Sequence, residues 1–178
     1  MQVNIVMEPF VVESFLSDLE CKEFIDYAQG QGVDDAKVGF PDGQLMVKGI
    51  RDNQRLQINN PKIGGPLFAR AKGLLPESVN NRMLYGFHDS IRFYKYDAEQ
   101  RFKMHKDGHK NIDDKISELT FLIYLNSDFE GGETKFRDYG VVEPSRGKAL
   151  IFPHGLWHEG MKVKSGYKYV MRFDVLYS

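Results

Sequence analysis

Residues 118–126 read ELTFLIYLN, and this run decides how the chain folds. Successive side chains of a strand point to opposite faces. Leu119, Phe121, Ile123 and Leu125 therefore share one face, while Thr120, Leu122, Tyr124 and Asn126 share the other. The first face is wholly apolar and the second mixes apolar with hydrogen-bonding groups, so the segment reads as a strand buried on both sides. An apolar face packs on a core, whereas a face carrying Thr and Tyr suits the interior of a barrel that holds a ligand.

Similar segments lie on either side: IRFYKY (91–96), RFKMHKD (101–107), the turn FEGGETKF (129–136), GKALIFP (147–153) and YKYVMRFDVLY (167–177). Short strands separated by glycine-bearing turns predict a sandwich or jelly roll. Aromatic residues make up 13% of the chain, which also favours sheet, because flat rings pack well on a pleated surface.

The first half reads differently. Ser17 and Glu20 form an S-x-x-E capping box, followed by Cys21, Phe24, Ile25 and Ala28 at helical spacing, so a helix starts here and ends near Gly30. Cys21 lies on the apolar stripe and reads as a core residue, not a reactive thiol. A second helix is predicted from Pro66 through LFARAKGLL, ending before Pro76. Between them lie the turn residues Gly39, Pro41, Asp42 and Gly43, then VKGIRDNQRLQI (47–58), a strand-like run with Arg51, Asn53 and Arg55 on one face.

With 178 residues and no linker or repeat, the chain reads as one domain: a helical N-terminal support over 1–90 and a strand-rich core over 91–178. Its 24 basic and 25 acidic residues leave a net charge of −1, so no strong positive field calls for nucleic acid. The start carries no basic leader and no eighteen apolar residues run together, so the expectation is a cytoplasmic protein with no membrane partner.

Five histidines are present, and His105-Lys106-Asp107 is the sharpest setting. On a strand, residues i and i+2 share a face, so an imidazole and a carboxylate there can bind one metal side by side. His158, fifty-one residues after Asp107, is the candidate for a third ligand, and a 2-His-1-carboxylate set would leave three metal positions open for a cosubstrate and O₂. Lys168 shares a strand face with Val170 and Arg172, and a cation at the far end of a metal pocket suits the distal carboxylate of a dicarboxylic acid. Arg172 lies about 13 Å further along that strand, as an anion-binding group or as a buried partner of Asp174. His154 and His158 do not make a helical zinc pair, because Pro153 and Gly155 flank His154. Trp157 reads equally as core or as a wall of the substrate site.

Taken together, Tyr96, Gln100, Phe102, His105 and Asp107, the YLN of 124–126, the GGETKF of 131–136, His158 and Lys168 resemble the prolyl 4-hydroxylase-like branch of the Fe(II)/2-oxoglutarate oxygenases, over about Pro9 to Tyr177. The resemblance implies a mostly β, cupin-like double-stranded β-helix with N-terminal helices packed on its major sheet. It implies that His105, Asp107 and His158 hold Fe(II), that Lys168 pairs with the C5 carboxylate of 2-oxoglutarate, and that Tyr96, Tyr124 and Thr134 line the same cosubstrate pocket. The implied reaction is a dioxygenase hydroxylation of an unactivated C–H bond with O₂, releasing succinate and CO₂, with ascorbate as an accessory. The first expectation for the substrate is a prolyl or other peptidyl side chain. A free amino acid or small metabolite is the alternative, and a non-catalytic cupin-like binding module is a more distant one. Arg51, Arg55, Arg92 and Trp157 are the candidate substrate contacts. The loops over 31–50 and 108–116 fit a peptide groove but would equally cover a small molecule, and the polar 109–117 segment reads as a lid.

Overall fold

The computed structural model describes residues 7–35 and 51–178. The Gly39–Gly43 turn, most of the 31–50 loop and the first part of the 47–58 run lie outside the described residues. Among the described residues the strands form a nine-stranded and a four-stranded antiparallel sheet, with a separate two-stranded pair of Glu130–Gly131 and Val163–Ser165. At the centre of the larger one, the C-terminal strand Lys168–Tyr177 pairs along one edge with Lys115–Tyr124 and along the other with Ser90–Tyr96 and then Arg82–Phe87. The smaller sheet runs Gly140–Val142, Thr134–Phe136, His158–Gly160, Phe102–His105.

The alternation read from 118–126 holds. Leu119, Phe121, Ile123 and Leu125 join Met171, Phe173 and Val175 in an apolar cluster that includes Cys21, Ala28, Leu67 and Ala71 of the helices. Tyr124, Leu150, Phe152, Val170, Tyr94 and Tyr96 pack in a second cluster between the sheets. Cys21 is fully buried, and burial pushes its thiol up to about 11, which fits a core residue. No helix among the described residues is long and apolar enough to cross a membrane.

The first helix, Asp18–Gly30, has the capping box as read: Ser17 accepts from the Glu20 N–H, and the Glu20 carboxylate accepts from the Ser17 N–H. The second helix is Pro61–Ala71 and starts five residues before the predicted Pro66. Asn60 caps it by accepting from the Lys62 N–H, and Pro61 takes the first turn, where a missing N–H costs nothing. Pro66 falls inside the helix. The portion before residue 90 is also less helical than expected. Phe10–Val12, Gln54–Asn59 and Arg82–Phe87 all join the major sheet, because its edges need partners from outside the core strands. The 109–117 segment is a hairpin, with Asn111–Ile112 pairing on Lys115–Ile116 and Asp113 at φ 55 in the turn.

Candidate active site

His105 closes one strand of the smaller sheet and His158 opens its neighbour, and the register sets them directly opposite each other. Asp107 lies just past the end of its strand, so the same-face argument does not place it. Its backbone N–H, donating to the His154 carbonyl at 3.0 Å, turns it inward instead. Ligand atoms of His105, Asp107 and His158 all lie within 4.8 Å of one another.

The hydrogen bonds fix how the imidazoles present themselves. Nδ1 of His105 faces the Lys103 carbonyl at 2.7 Å, and Nδ1 of His158 faces the Leu156 carbonyl at 2.9 Å. A carbonyl only accepts, so each Nδ1 carries the hydrogen and each Nε2 offers a lone pair. Those Nε2 atoms lie 3.6 and 3.7 Å from the two Asp107 oxygens. His105 Nε2 is buried without a hydrogen-bond partner, an arrangement a metal ion resolves. Burial pushes His158 down to about 4, keeping it in the neutral form that ligates. The Phe102 ring stacks on His105 at 3.5 Å and limits its rotation. Two imidazoles and one carboxylate on one side suit Fe(II) with open positions.

A buried network holds the carboxylate. Thr120 donates to Asp107 Oδ2 at 2.6 Å and lies 2.9 Å from His154 Nδ1, while Arg172 donates to Asp107 Oδ1 at 2.9 Å. Burial alone would raise the Asp107 carboxyl, but the Arg172 guanidinium beside it holds it well below its usual range. Burial pushes His154 down to about 4, so it is neutral and its Nδ1–H donates to the Thr120 oxygen. Behind them Asp174 meets Arg92, Lys110 and Arg172. Sequence reasoning placed Thr120 on the inward face but missed its link to His154, because the two meet through pairing of distant strands.

Lys168, 3% exposed, lines the same cavity as the cluster. Its Nζ donates to the Gly132 carbonyl at 2.6 Å and lies 4.8 and 5.6 Å from the Tyr96 and Tyr124 ring centroids. Gly132 has φ +71, and a Cβ there would meet the Lys168 stem at 3.1 Å, so the GG turn wraps this lysine closely. No carboxylate among the described residues pairs with Lys168, and burial pushes it down to about 7. Tyr124 and Thr134 share a 2.6 Å hydrogen bond nearby. Gly160 stands against this wall: a Cβ there would be in ordinary contact, 3.6 Å from the Tyr96 hydroxyl and 3.9 Å from Lys168 Nζ. One cavity is thus lined both by the His–Asp–His cluster and by the buried Lys168 amine, a metal-ligand set and a cation in one space, which suits a short dicarboxylate.

The remaining candidates are spread out. Arg92 is buried in its two-pronged pair with Asp174. The Arg51 guanidinium lies 5.6 Å from the Phe102 ring. Arg55 lies on the edge strand Gln54–Asn59, facing inward opposite Tyr94. Trp157, next to His158, is partly exposed, with Arg137 at 4.4 Å and Lys106 at 5.3 Å from its ring. His109 turns away from the cluster to the Ser117 carbonyl at 2.8 Å.

Comparisons with known proteins bear on the fold and the family. Residues 91–173 match the family model of the 2OG-Fe(II) oxygenase superfamily. A protein of Acanthamoeba polyphaga mimivirus named "Putative prolyl 4-hydroxylase" is 28% identical over 92% of this chain and 72% of its own length. Among solved structures, the 2OG complex of the viral collagen prolyl hydroxylase vCPH from Paramecium Bursaria Chlorella virus-1 superposes with a TM-score of 0.72. It is 20% identical, with 97% of each chain covered. A Trichoplax adhaerens prolyl hydroxylase in complex with a hypoxia inducible factor peptide fragment gives a TM-score of 0.69 at 17% identity, covering 94% of this chain and 82% of that one.

Proposed function

We propose that the chain is a member of the 2OG-Fe(II) oxygenase superfamily, whose family model matches residues 91–173, and that it hydroxylates a prolyl side chain within a peptide. It is a dioxygenase that uses Fe(II), 2-oxoglutarate and O₂. The observation that carries the residue assignment is that one cavity is lined by His105, Asp107 and His158 and by the buried Lys168, which has no paired carboxylate among the described residues.

In this reading His105, Asp107 and His158 hold the iron, which supplies oxidative decarboxylation of 2-oxoglutarate and oxygen insertion into a C–H bond. Lys168 receives the C5 carboxylate, and the Tyr124 and Thr134 hydroxyls add donors beside it. Tyr96 and the apolar walls Leu122, Phe152 and Val170 exclude water from that part of the cavity. Arg172 and Thr120 hold Asp107 ionised and oriented. A peptidyl prolyl substrate is supported by the prolyl hydroxylase names of the relatives, one of which is in complex with a peptide fragment.

The test begins with anaerobic titration of the Fe(II)-loaded protein by 2-oxoglutarate, reading the visible charge-transfer band. O₂ is then admitted with proline-containing peptides. Succinate with a matching 16 Da gain on proline is the expected result. Succinate formation without oxygen incorporation into any prolyl peptide would redirect the substrate to a free amino acid or small metabolite.

A further inference from the structure

The inner face of the major sheet carries more positive charge than its own carboxylates balance. Arg92, Lys110 and Arg172 all meet Asp174, at 2.8, 3.1 and 3.1 Å, and Arg172 also meets Asp107 at 2.9 Å. Arg55 shares neither carboxylate. Its Nη2 donates to Gln57 Oε1, a neutral acceptor, at 2.7 Å, and its buried Nε has no hydrogen-bond partner. Burial works against its charge. Tyr94 acts in its favour, but the other groups that act on it most are the guanidinium groups of Arg92, Arg51 and Arg172. A half-buried cation among cations, with no carboxylate of its own among the described residues, is a site for an incoming anion.

Its position says which anion. The pairing registers set Arg55 opposite Tyr94, Tyr94 opposite Val170 and Val170 opposite Tyr124, one continuous row across four strands. Tyr94 and Val170 line the cavity, so Arg55 extends that surface outward to the sheet edge. Lys168 pairs with Tyr96, two residues further along. From strand spacing and rise, its backbone is about 12 Å from that of Arg55, so the two cations serve separate groups. Arg51, four residues before Arg55, pairs with Phe102 of the strand that ends in His105. Arg55 therefore stands where the edge of the major sheet meets the metal-bearing strand, at the opening between the sheets.

We propose that Arg55 is the anchor of an anion subsite at the mouth of the active site, taking a carboxylate of the substrate. A guanidinium binds a carboxylate through two parallel N–H donors, and partial burial strengthens the pair relative to one in open water. This deepens the prolyl reading and rests on it for the target residue alone. The carboxylate comes either from an acidic side chain next to the target in a peptide or from the terminal carboxylate of a shorter substrate.

The protein loaded with 2-oxoglutarate and Mn(II), which permits binding without turnover, is titrated with fluorescent, acetylated and amidated proline peptides. These differ only in Glu, Gln or Lys beside the proline, and a further Gln peptide has a free C-terminal carboxylate. The Glu peptide is expected to bind at least tenfold more tightly than its amidated Gln counterpart. Arg55→Gln removes that difference, Arg55→Lys retains part of it, and Arg55→Glu shifts the preference to the Lys peptide. A preference for the free C-terminus over the amide, lost in Arg55→Gln, identifies the terminal carboxylate as the source. Equal binding of all peptides, or a Glu preference that survives in folded Arg55→Gln, overturns the subsite. The Fe(II)-loaded enzyme with O₂ reads the prolyl assignment separately. Arg55-dependent binding with no oxygen on proline retains the subsite and overturns that assignment, and hydroxylation without charge preference does the reverse.

Discussion

The strands Lys115–Tyr124 and Lys168–Tyr177 carry two different chemistries on their two faces. Outward, Leu119, Phe121, Ile123, Met171, Phe173 and Val175 are fully buried against apolar neighbours. Inward, Thr120, Lys168, Arg172 and Asp174 are nearly as deeply buried, yet they are polar or charged. Burial alone therefore does not distinguish scaffold from site; what the buried groups face does. Each outer apolar side chain contributes about 1.5–3 kcal/mol by leaving water. The inner ion pairs contribute little net stability, because desolvation offsets their attraction. The outer face thus holds the inner one in place, and substitutions on the two faces are expected to separate stability from function.

The largest effect is expected on the inner face. Asp107→Ala removes the carboxylate from the His–Asp–His cluster and is expected to abolish Fe(II)-dependent succinate formation, checked with iron content measured alongside. Arg172 keeps its contact to Asp174 at 3.1 Å, so the variant remains folded although a buried guanidinium has lost one of its two partners. Turnover that persists in the folded variant would remove Asp107 from the metal site. On the outer face, Phe121→Ala opens a cavity beside Phe15 and Phe87, whose rings lie 5.0 and 5.1 Å away. The expected cost is about 3–5 kcal/mol in urea unfolding, with 2-oxoglutarate affinity of the folded protein unchanged. A parallel loss of affinity would show that the two faces are not separable.

This division was legible in the sequence where a single strand carries it. Alternation in 118–126 and 167–177 sorted core from cavity, because side-chain direction in a strand depends on position alone. His105, Asp107 and His158 were legible as metal-ligand types at a telling spacing, although Asp107 reaches the cluster from beyond its strand through a backbone bond to His154. The bond from His154 to Thr120 was not legible, since it depends on the register between Lys115–Tyr124 and Ala149–Pro153. The second helix start was written as Asn60-Pro61, a cap and a first-turn proline, but the apolar run after Pro66 drew the reading later. Arg92 shows the limit of reading charge from sequence: an arginine on a strand suggests a ligand contact, and its bonds to Asp174 become visible only in three dimensions.

The next largest effect sharpens the same contrast within the inner face. Lys168→Ala removes one charge-assisted contact, worth about 1.5–3 kcal/mol, so 2-oxoglutarate is expected to bind roughly 10- to 150-fold more weakly by calorimetry. Acidity supplies a second reading of this group. Burial holds the free lysine at about 7, so above that pH it is largely neutral. A carboxylate prefers the ammonium form, and binding above pH 7 must therefore take up a proton. Affinity is expected to be flat below pH 7 and to weaken up to about tenfold per unit above it. The same slope persisting in Lys168→Ala would assign it to another group.

The smallest effect tests whether the hydroxyls beside Lys168 belong to the scaffold or to the site. Tyr124 is fully buried and packs on Leu150 and Val170, while its hydroxyl bonds Thr134 at 2.6 Å. Tyr124→Phe preserves the ring and deletes the oxygen, leaving Thr134 without that partner. If the pair is purely structural, the loss of about 1 kcal/mol appears in urea unfolding and 2-oxoglutarate affinity is unchanged. If the hydroxyl turns toward the cosubstrate on binding, the same energy appears as a roughly fivefold weaker affinity. The cavity position of Thr134, with Lys168 lying over the Tyr124 ring, favours the second outcome. Stability and affinity measured on this one variant would therefore place the boundary between the two faces at the level of a single oxygen atom.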